Sequence, residues 1–304
     1  MKKFLALVLT LALSFSMAAC GSSQPTESAE DTEGKATLKV ATSPDYSPME
    51  FVDLTKSGQD KYVGFDISLA KYIASELGME LEICPMSFDA CQVAVQTGNV
   101  DMSISGFSWS EEREKNYNLS DYYFAGDNET EQVTIALKDK AADLAEGANY
   151  KDKTVGVQTA SLQEALVNAQ LVPQGAKTAI FTDINTGILQ LKKGDFDALA
   201  VAKGNGEAIV ANNPDIVLTD FQFEVSEKEA NNLILLQKGN DELTEKVNAI
   251  LAKALEEGLY AQWYEEAQQL AGMETSGEVS FDDNGEAVED AADGAESETE
   301  SKAE

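Results

Sequence analysis

Apolar residues recur along residues 36–272 with two spacings, and these predict strands alternating with helices. Leu38–Ala41 is a short apolar run typical of a strand, whereas Asp66–Leu77 has apolar residues three and four positions apart, as on one face of a helix. Asp183 begins a second clear helix, which Gly194 ends. The same pattern predicts strands at 81–83, 102–104, 133–137, 154–157, 198–201, 216–218 and 233–236, and helices at 89–97, 162–168 and 242–257.

This alternation is typical of an α/β fold, in which helices cover parallel strands. The pattern restarts near Thr154, so we expect two α/β units in tandem. Ligands of such folds bind at the carboxyl ends of the strands, and with two units the site is expected between them.

The first twenty residues have the pattern of an export signal. Lys2 and Lys3 precede the apolar run Phe4–Met17, which is too short for a membrane-spanning helix. The sequence from Met17 to Gly21 resembles a bacterial lipobox, with Met17 in place of the usual Leu. We therefore expect residues 1–20 to form a lipoprotein signal peptide ending at Cys20, and lipid on Cys20 to anchor the protein outside the cell membrane. A simple secretory signal is the alternative.

Both flanks of the predicted folded region are polar. Residues 21–36 read as a disordered tether and residues 273–304 as an acidic disordered tail. The acidic stretch 282–286 does not fit the calcium-binding EF-hand spacing, so no metal site is predicted there. The formal net charge of −32 argues against a nucleic-acid partner.

Two further cysteines, Cys84 and Cys91, lie close together in the sequence. In an exported protein such a pair can form a disulfide between a strand end and the following helix, and two buried free thiols are the alternative. The chain has no histidine, which excludes His-based catalytic triads and His metal sites.

Arg113 is the only arginine among 304 residues that include 54 Asp and Glu. Its planar guanidinium can grip a carboxylate with two parallel hydrogen bonds, which a lysine cannot do. Arg113 follows a short apolar strand and a Ser- and Gly-rich turn, which together outline an anion site. The alternative is a surface arginine paired with a neighbouring glutamate.

Six segments resemble one family: 38–51, 63–71, 101–106, 120–123, 155–159 and 194–198. The family is the polar amino-acid-binding group of extracellular solute-binding proteins, and the resemblance covers residues 37 to about 270 in order. It implies a two-lobed fold of the type II periplasmic-binding-protein kind, with two doubly wound lobes joined by two hinge crossovers. Residues 37–130 and 230–272 would form lobe 1, and residues 131–229 the hinge strands and lobe 2.

The resemblance also implies a function. It indicates a monomeric receptor without a cofactor that captures a small carboxylate-bearing solute, an amino acid in most of the family, by hinge closure and delivers it to the permease of an ABC importer. A sensor with the same fold is the alternative, and a dehydratase of this fold is a further one.

The resemblance assigns site residues by position. Arg113 and Ser108 match the family's carboxylate-binding pair, and Ser105 and Gly106 match the turn that meets the ligand. The other matches are an aromatic pair that sandwiches the ligand side chain and a loop of the second lobe that donates N–H groups: Tyr46, Phe88, Thr159 and Ser161.

Ala202 departs from the family pattern, which has an Asp there to pair with the ligand ammonium. An unpaired buried ammonium is costly, so either another acid replaces it or the ligand lacks a free amine. Glu207 is the nearest candidate acid, and the insertion at 127–131 offers Asp127 and Glu129. Lys203 next to Ala202 is expected to make the local field less favourable to a cation.

Overall fold

The fold is built on two five-stranded β-sheets, and helices flank each of them. The computed structural model describes residues 35–124 and 130–273 and two short paired strands, β13 (Ser280–Phe281) and β14 (Ala287–Val288). The preceding strands are β1 (Thr37–Thr42), β2 (Phe51–Val52), β3 (Tyr62–Val63), β4 (Glu80–Pro85), β5 (Met102–Ser108), β6 (Tyr117–Leu119), β7 (Gln132–Leu137), β8 (Thr154–Gln158), β9 (Lys177–Phe181), β10 (Ala198–Ala202), β11 (Ile216–Gln222) and β12 (Asn232–Gln237).

The helices fill the intervals between these strands. They are α1 (Phe65–Glu76), α2 (Phe88–Gln96), α3 (Glu111–Asn116), α4 (Lys138–Ala141), α5 (Leu162–Leu166), α6 (Ile184–Lys193), α7 (Lys203–Asn212), α8 (Asp241–Glu256) and α9 (Leu259–Leu270). We call the sheet ordered β4-β1-β5-β12-β6, with its flanking helices, lobe 1. The sheet ordered β11-β7-β10-β8-β9, with helices α4 to α7, is lobe 2.

The architecture confirms the predicted α/β fold class, but the sheets are not wholly parallel. β1 pairs in parallel with β4 and β5, whereas β12 runs antiparallel to β5 and β6. In lobe 2, β8 is parallel to β9 and β10, whereas β7 is antiparallel to β10 and β11. The chain enters lobe 2 through the antiparallel strand β7, and it returns to lobe 1 through the antiparallel strand β12. The residue limits of the lobes stay a prediction.

Local sequence explains the elements that position the site. The central strand β10 has five buried residues in succession, as expected for a strand covered on both faces. Asp183 caps α6 by accepting the backbone N–H of Thr186, and Gly194 ends the helix in the left-handed conformation. Each of these elements was predicted within a few residues of its observed limits.

Two of the longer helices, α7 and α9, were not predicted. α7 begins with two glycines, Gly204 and Gly206, which disfavour a helix on propensity alone. A Cβ on Gly206 would lie 2.8 Å from a methyl group of Leu218, so this helix needs glycine to pack against the sheet. The predicted helix that corresponds to α8 ended just before Gly258, and no helix was predicted after this glycine. The missed helix is α9, whose Tyr260 and Tyr264 pack around Phe65 of α1.

The segment between β1 and α1 lies against the start of α1. Gly64 has φ +119°, and a Cβ there would lie 2.3 Å from the carbonyl oxygen of Met49. The backbone N–H groups of Phe65 and Asp66 donate to the carbonyls of Pro48 and Met49. This close approach holds in place the segment that carries Asp45, Tyr46 and Glu50, which faces the other lobe.

Several predictions concern residues that the structure does not describe. The signal peptide, the lipidation of Cys20, the tether up to residue 34, and Asp127 and Glu129 all lie outside the described residues, as does most of the acidic tail. In the stretches 35–124 and 130–273, no helix is long and apolar enough to cross a membrane.

Candidate functional site

A pocket lies between the two lobes, at the carboxyl ends of β1, β4, β5 and β8. This is the position that the tandem α/β pattern predicts. The lining residues are Asp45, Tyr46, Glu50, Phe88, Ser105, Gly106, Ser108, Arg113, Gln158, Ser161, Leu162 and Gln163.

Seven of the nine ligand-binding residues inferred from the sequence line this pocket: Tyr46, Phe88, Ser105, Gly106, Ser108, Arg113 and Ser161. Thr159 and Glu207 are not among its lining residues. The N–H and hydroxyl of Thr159 both donate to the carbonyl of Phe181, at 2.9 and 3.1 Å. Glu207 lies in the second turn of α7, a helix whose start is held against the sheet of lobe 2.

Arg113 is held at the pocket wall by neutral oxygen atoms. Its Nη1 donates to the carbonyl of Ser108 at 2.6 Å, its Nη2 to the carbonyl of Ala160 at 2.9 Å, and its Nε to Oε1 of Gln92 at 3.3 Å. Arg113 lies on α3, and Ser110 caps the start of this helix because its hydroxyl accepts a hydrogen bond from the backbone N–H of Arg113. These bonds orient the guanidinium at the pocket wall.

Burial of Arg113 decides between the two sequence interpretations. The residue is 6% exposed, whereas the neighbouring Glu111, Glu112 and Glu114 are exposed. Its guanidinium carbon lies 5.6 Å from the ring centre of Phe88 and 5.2 Å from that of Phe107. The alternative of a surface arginine paired with these glutamates is therefore wrong, and the rings provide a cation–π platform beneath the charge.

Tyr46 and Phe88 occupy different surroundings. Phe88 stacks on Phe107, with ring centres 4.7 Å apart. Tyr46 packs against the apolar core of lobe 1 and against one apolar cluster of lobe 2. Tyr46 therefore joins the lobes on one side of the pocket.

Asp45 is an acidic residue of the pocket that the sequence analysis missed. Its Oδ1 accepts the hydroxyl of Ser43 at 2.7 Å. Its Oδ2 accepts the backbone N–H of Ile184 at 2.7 Å and Nε2 of Gln158 at 3.2 Å, both from lobe 2. Burial raises the pKa of Asp45 to about 6 in spite of these hydrogen bonds, and nearby Asp183 adds to the shift. Asp45 therefore links the lobes and is charged at neutral pH.

Glu50 is the second unpredicted acid, and it belongs to a buried pair with Asp66. Glu50 accepts the hydroxyl of Ser105, while Asp66 accepts the N–H of Gly106 at 2.9 Å and the hydroxyl of Tyr123. Burial and the neighbouring Asp66 raise the pKa of Glu50 well above its ordinary value. Asp66 accepts from two donor groups and Glu50 from one, so Glu50 is the member of the pair whose charged form is less favoured.

In residues 35–124 and 130–273, no acid near Ala202 is among the lining residues of the pocket. Ala202 is fully buried and pairs in register with Gln132, whose Oε1 accepts Nε2 of the pocket residue Gln163 at 2.7 Å. Lys203 forms an ion pair of 2.8 Å with Glu131. This ion pair offsets the positive charge that was expected to oppose a cation in the cleft.

Cys84 and Cys91 are free thiols in the structure, contrary to the expected disulfide. Cys91 lies on α2 and is buried in the core of lobe 1, whereas Cys84 lies in the edge strand β4 with its Sγ 3.8 Å from the carbonyl oxygen of Glu82. Residues 35–124 and 130–273 hold no cluster of Cys, Asp and Glu suited to a metal ion.

A pocket between two α/β lobes, with a buried guanidinium on its wall, defines a ligand-binding protein. The chain belongs to the bacterial extracellular solute-binding proteins of family 3, whose model matches residues 38–268. It is thus a binding protein and not an enzyme, and its two lobes form the type II periplasmic-binding-protein fold that the sequence predicted.

Individual relatives share most of the chain. The arginine-binding extracellular protein ArtP of Bacillus subtilis is 32% identical over 272 residues, which cover 87% of this chain and 98% of that protein. The amino acid ABC transporter substrate-binding protein AbpA of Streptococcus pneumoniae, solved with L-arginine, has a TM-score of 0.71 and 32% identity over 79% of this chain and 97% of its own. An ancestral arginine-binding protein solved with glutamine has a TM-score of 0.68 and 33% identity, with coverage of 77% and 98%.

Proposed function

We propose that the protein captures an amino acid outside the cell membrane and delivers it to the permease of an ABC importer. The observation that carries this proposal is the buried guanidinium of Arg113, which neutral acceptors orient at the wall of a pocket between two lobes. A carboxylate is the ligand group that such a fork of donors recognises best.

L-Arginine is the first candidate ligand. ArtP and AbpA are related to this chain at 32% identity over most of its length, and their names or bound ligand specify arginine. Two acids, Asp45 and Glu50, line the pocket together with Arg113, so the pocket has groups of both signs, as a zwitterionic solute requires. The glutamine complex of the ancestral protein makes L-glutamine the natural comparison ligand.

We also propose that ligand capture closes the lobes on one another. Several hydrogen bonds cross between them, among them Arg113 to Ala160, Ile184 to Asp45, and Asn205 to Ser47 at 2.9 Å. A ligand that touches residues of both lobes favours the conformation in which these contacts form. The protein acts as a monomer, and lipid on Cys20 holds it at the membrane.

Calorimetry on the purified protein tests the ligand. We expect L-arginine to bind, with weaker binding of L-glutamine and of the arginine analogue that lacks the carboxylate, agmatine. If agmatine binds as tightly as L-arginine, Arg113 does not recognise a carboxylate. Uptake of labelled L-arginine by cells with and without the gene tests transport, and unchanged uptake together with tight binding would favour a sensor.

A further inference from the structure

We propose that Asp45 is the residue that recognises the cationic group of the bound amino acid. This inference rests on the proposed function, since it concerns the second charged group of the same ligand. The acid would then come from lobe 1, beyond the end of β1, and not from lobe 2 beyond the end of β10.

The described part of lobe 2 places no carboxylate among the lining residues of the pocket. Its lining residues there are Gln158, Ser161, Leu162 and Gln163, all uncharged. Ala202 is apolar and buried, and Gln163 is bonded to Gln132 beside it. An ammonium or guanidinium group that left water for this pocket would need a negative partner, because burying an unpaired charge is strongly unfavourable.

Of the two acids that line the pocket in the described part of the chain, Asp45 is the one that accepts hydrogen bonds from lobe 2. The pKa of Glu50 is raised well above its ordinary value, because burial and the neighbouring Asp66 both disfavour its charged form. The pKa of Asp45 is about 6, so this carboxyl group is ionised at pH 7 and above.

The donors around Asp45 position its carboxylate without neutralising it. The hydroxyl of Ser43, the backbone N–H of Ile184 and the amide of Gln158 are all neutral groups. The titratable groups that face Asp45 are Asp183 at the start of α6, together with Glu50 and the thiol of Cys91 within lobe 1. None of these groups carries a positive charge, so the local electrostatic field favours a cation at Asp45.

Asp45 and Arg113 are suitably placed for the two ends of one small ligand. They follow β1 and β5, which are adjacent parallel strands of the same sheet, and both side chains line the pocket. A ligand carboxylate at Arg113 and a cationic group at Asp45 would lie along the carboxyl edge of lobe 1. Because Oδ2 of Asp45 also accepts hydrogen bonds from lobe 2, the cation would share its carboxylate with the contact between the lobes.

Calorimetry with Asp45→Asn tests the proposal. Asparagine keeps an oxygen for Ile184 and Gln158 and places an N–H₂ group beside the hydroxyl of Ser43, so the lobe contacts can persist. We expect at least a tenfold loss of affinity for L-arginine. The control Asp60→Asn removes the same charge from an exposed position of lobe 1 and should bind within twofold of the wild type. A loss of less than threefold in Asp45→Asn overturns the proposal.

Two arginine analogues show which cation is recognised. 5-Guanidinopentanoate lacks the α-ammonium group, and L-citrulline has a neutral group in place of the guanidinium. The analogue that lacks the recognised cation should bind wild type and Asp45→Asn with equal affinity. If Asp45→Asn weakens both analogues as much as it weakens L-arginine, its effect is structural and the proposal fails.

Proton release provides a measurement that does not depend on a folded variant. Pairing of a cation with Asp45 lowers the pKa of that residue, so the wild type should release protons on binding L-arginine at pH 6. Calorimetry in two buffers of different ionisation enthalpy detects this release, and its absence overturns the inference. Binding that depends on Arg113 but not on Asp45 would leave the proposed function standing, whereas failure of the wild type to bind any amino acid would overturn both.

Discussion

The guanidinium of Arg113 in lobe 1 donates a 2.9 Å hydrogen bond to the carbonyl of Ala160 in lobe 2. Ala160 adopts a left-handed backbone conformation with φ 62°, which is uncommon for a residue with a side chain. Its own N–H donates to Glu164 at 2.7 Å, at the start of α5. The residue proposed to bind the ligand carboxylate is thus also a point of contact between the lobes.

Arg113→Lys should weaken L-arginine binding by about 2 kcal/mol or more, because a lysine cannot form paired hydrogen bonds to a carboxylate and leaves it under-satisfied. The matched control Lys115→Arg makes the reverse exchange at an exposed position of the same helix and should leave affinity unchanged. Calorimetry measures both. A change of less than threefold in Arg113→Lys would show that this residue does not bind the carboxylate.

Affinity for L-arginine should fall as the pH is lowered through the pKa of Asp45, which is about 6. If the cation binds only the ionised carboxylate, each pH unit below this value weakens binding by about tenfold, and binding is constant above pH 7. Titrations between pH 5 and 8 test this. The dependence should disappear in Asp45→Asn, and its persistence there would assign it to another group.

Glu50→Gln should change how stability depends on pH. The pKa of Glu50 is raised in the folded protein, so folding binds a proton, and the folded state loses stability as the pH rises from 4.5 towards that raised value. Glutamine lacks this dependence, so the free energy of unfolding of the variant should gain up to about 1.4 kcal/mol per pH unit relative to the wild type. Denaturant titrations at pH 5 to 8 measure the difference. Glu245→Gln, at an exposed site, should run parallel to the wild type.

Saturating L-arginine should reduce the radius of gyration measured by small-angle scattering, because the ligand favours contact between the lobes. Tyr46→Ala removes a side chain that packs on both cores, so the variant should be more open without ligand and need more ligand to compact. An unchanged radius in the ligand-saturated wild type would contradict closure.

Cys84 and Cys91 should react with alkylating reagents to different extents. Burial raises the pKa of both thiols, but Cys84 is half-buried at an edge strand, whereas Cys91 lies in the core. Native protein should therefore be alkylated at Cys84, and Cys91 should react only after unfolding. Peptide mass spectrometry of non-reduced protein distinguishes these sites, and a linked Cys84–Cys91 peptide would restore the disulfide.

Gly64→Ala should destabilise the protein by roughly 3 kcal/mol or more, since a Cβ there meets the backbone of Met49 and φ is +119°. Gly58→Ala is the matched control. It also has positive φ, at +62°, but no atom lies within 4 Å of its Cβ position, so a cost of about 1 kcal/mol is expected. Thermal unfolding compares the two, and equal losses would show that the contact with Met49 contributes nothing.

The sequence predicted the elements whose apolar spacing is regular, such as α1, α6 and the continuous strand β12. It also placed Arg113 in an anion site, since a single arginine beside a Ser- and Gly-rich turn is a local signal. Asp45 gave no such signal, because its role depends on Ile184, which lies 139 positions away along the chain. Contacts between lobes arise from tertiary packing, and spacing along the chain does not reveal them. An acid directly before the predicted pocket residue Tyr46 was the one available indication.

The position of β12 has a consequence for how the protein is made. This strand lies between β5 and β6 in the sheet of lobe 1, yet it follows the whole of lobe 2 in the chain. An emerging polypeptide can complete the sheet of lobe 2 from one continuous stretch, whereas lobe 1 must wait until residues 232–237 have left the ribosome and the export channel. The usual order, in which the N-terminal part folds first, is thereby reversed. Any product that ends before Asn232 would lack the inner strand against which β5 and β6 both pair.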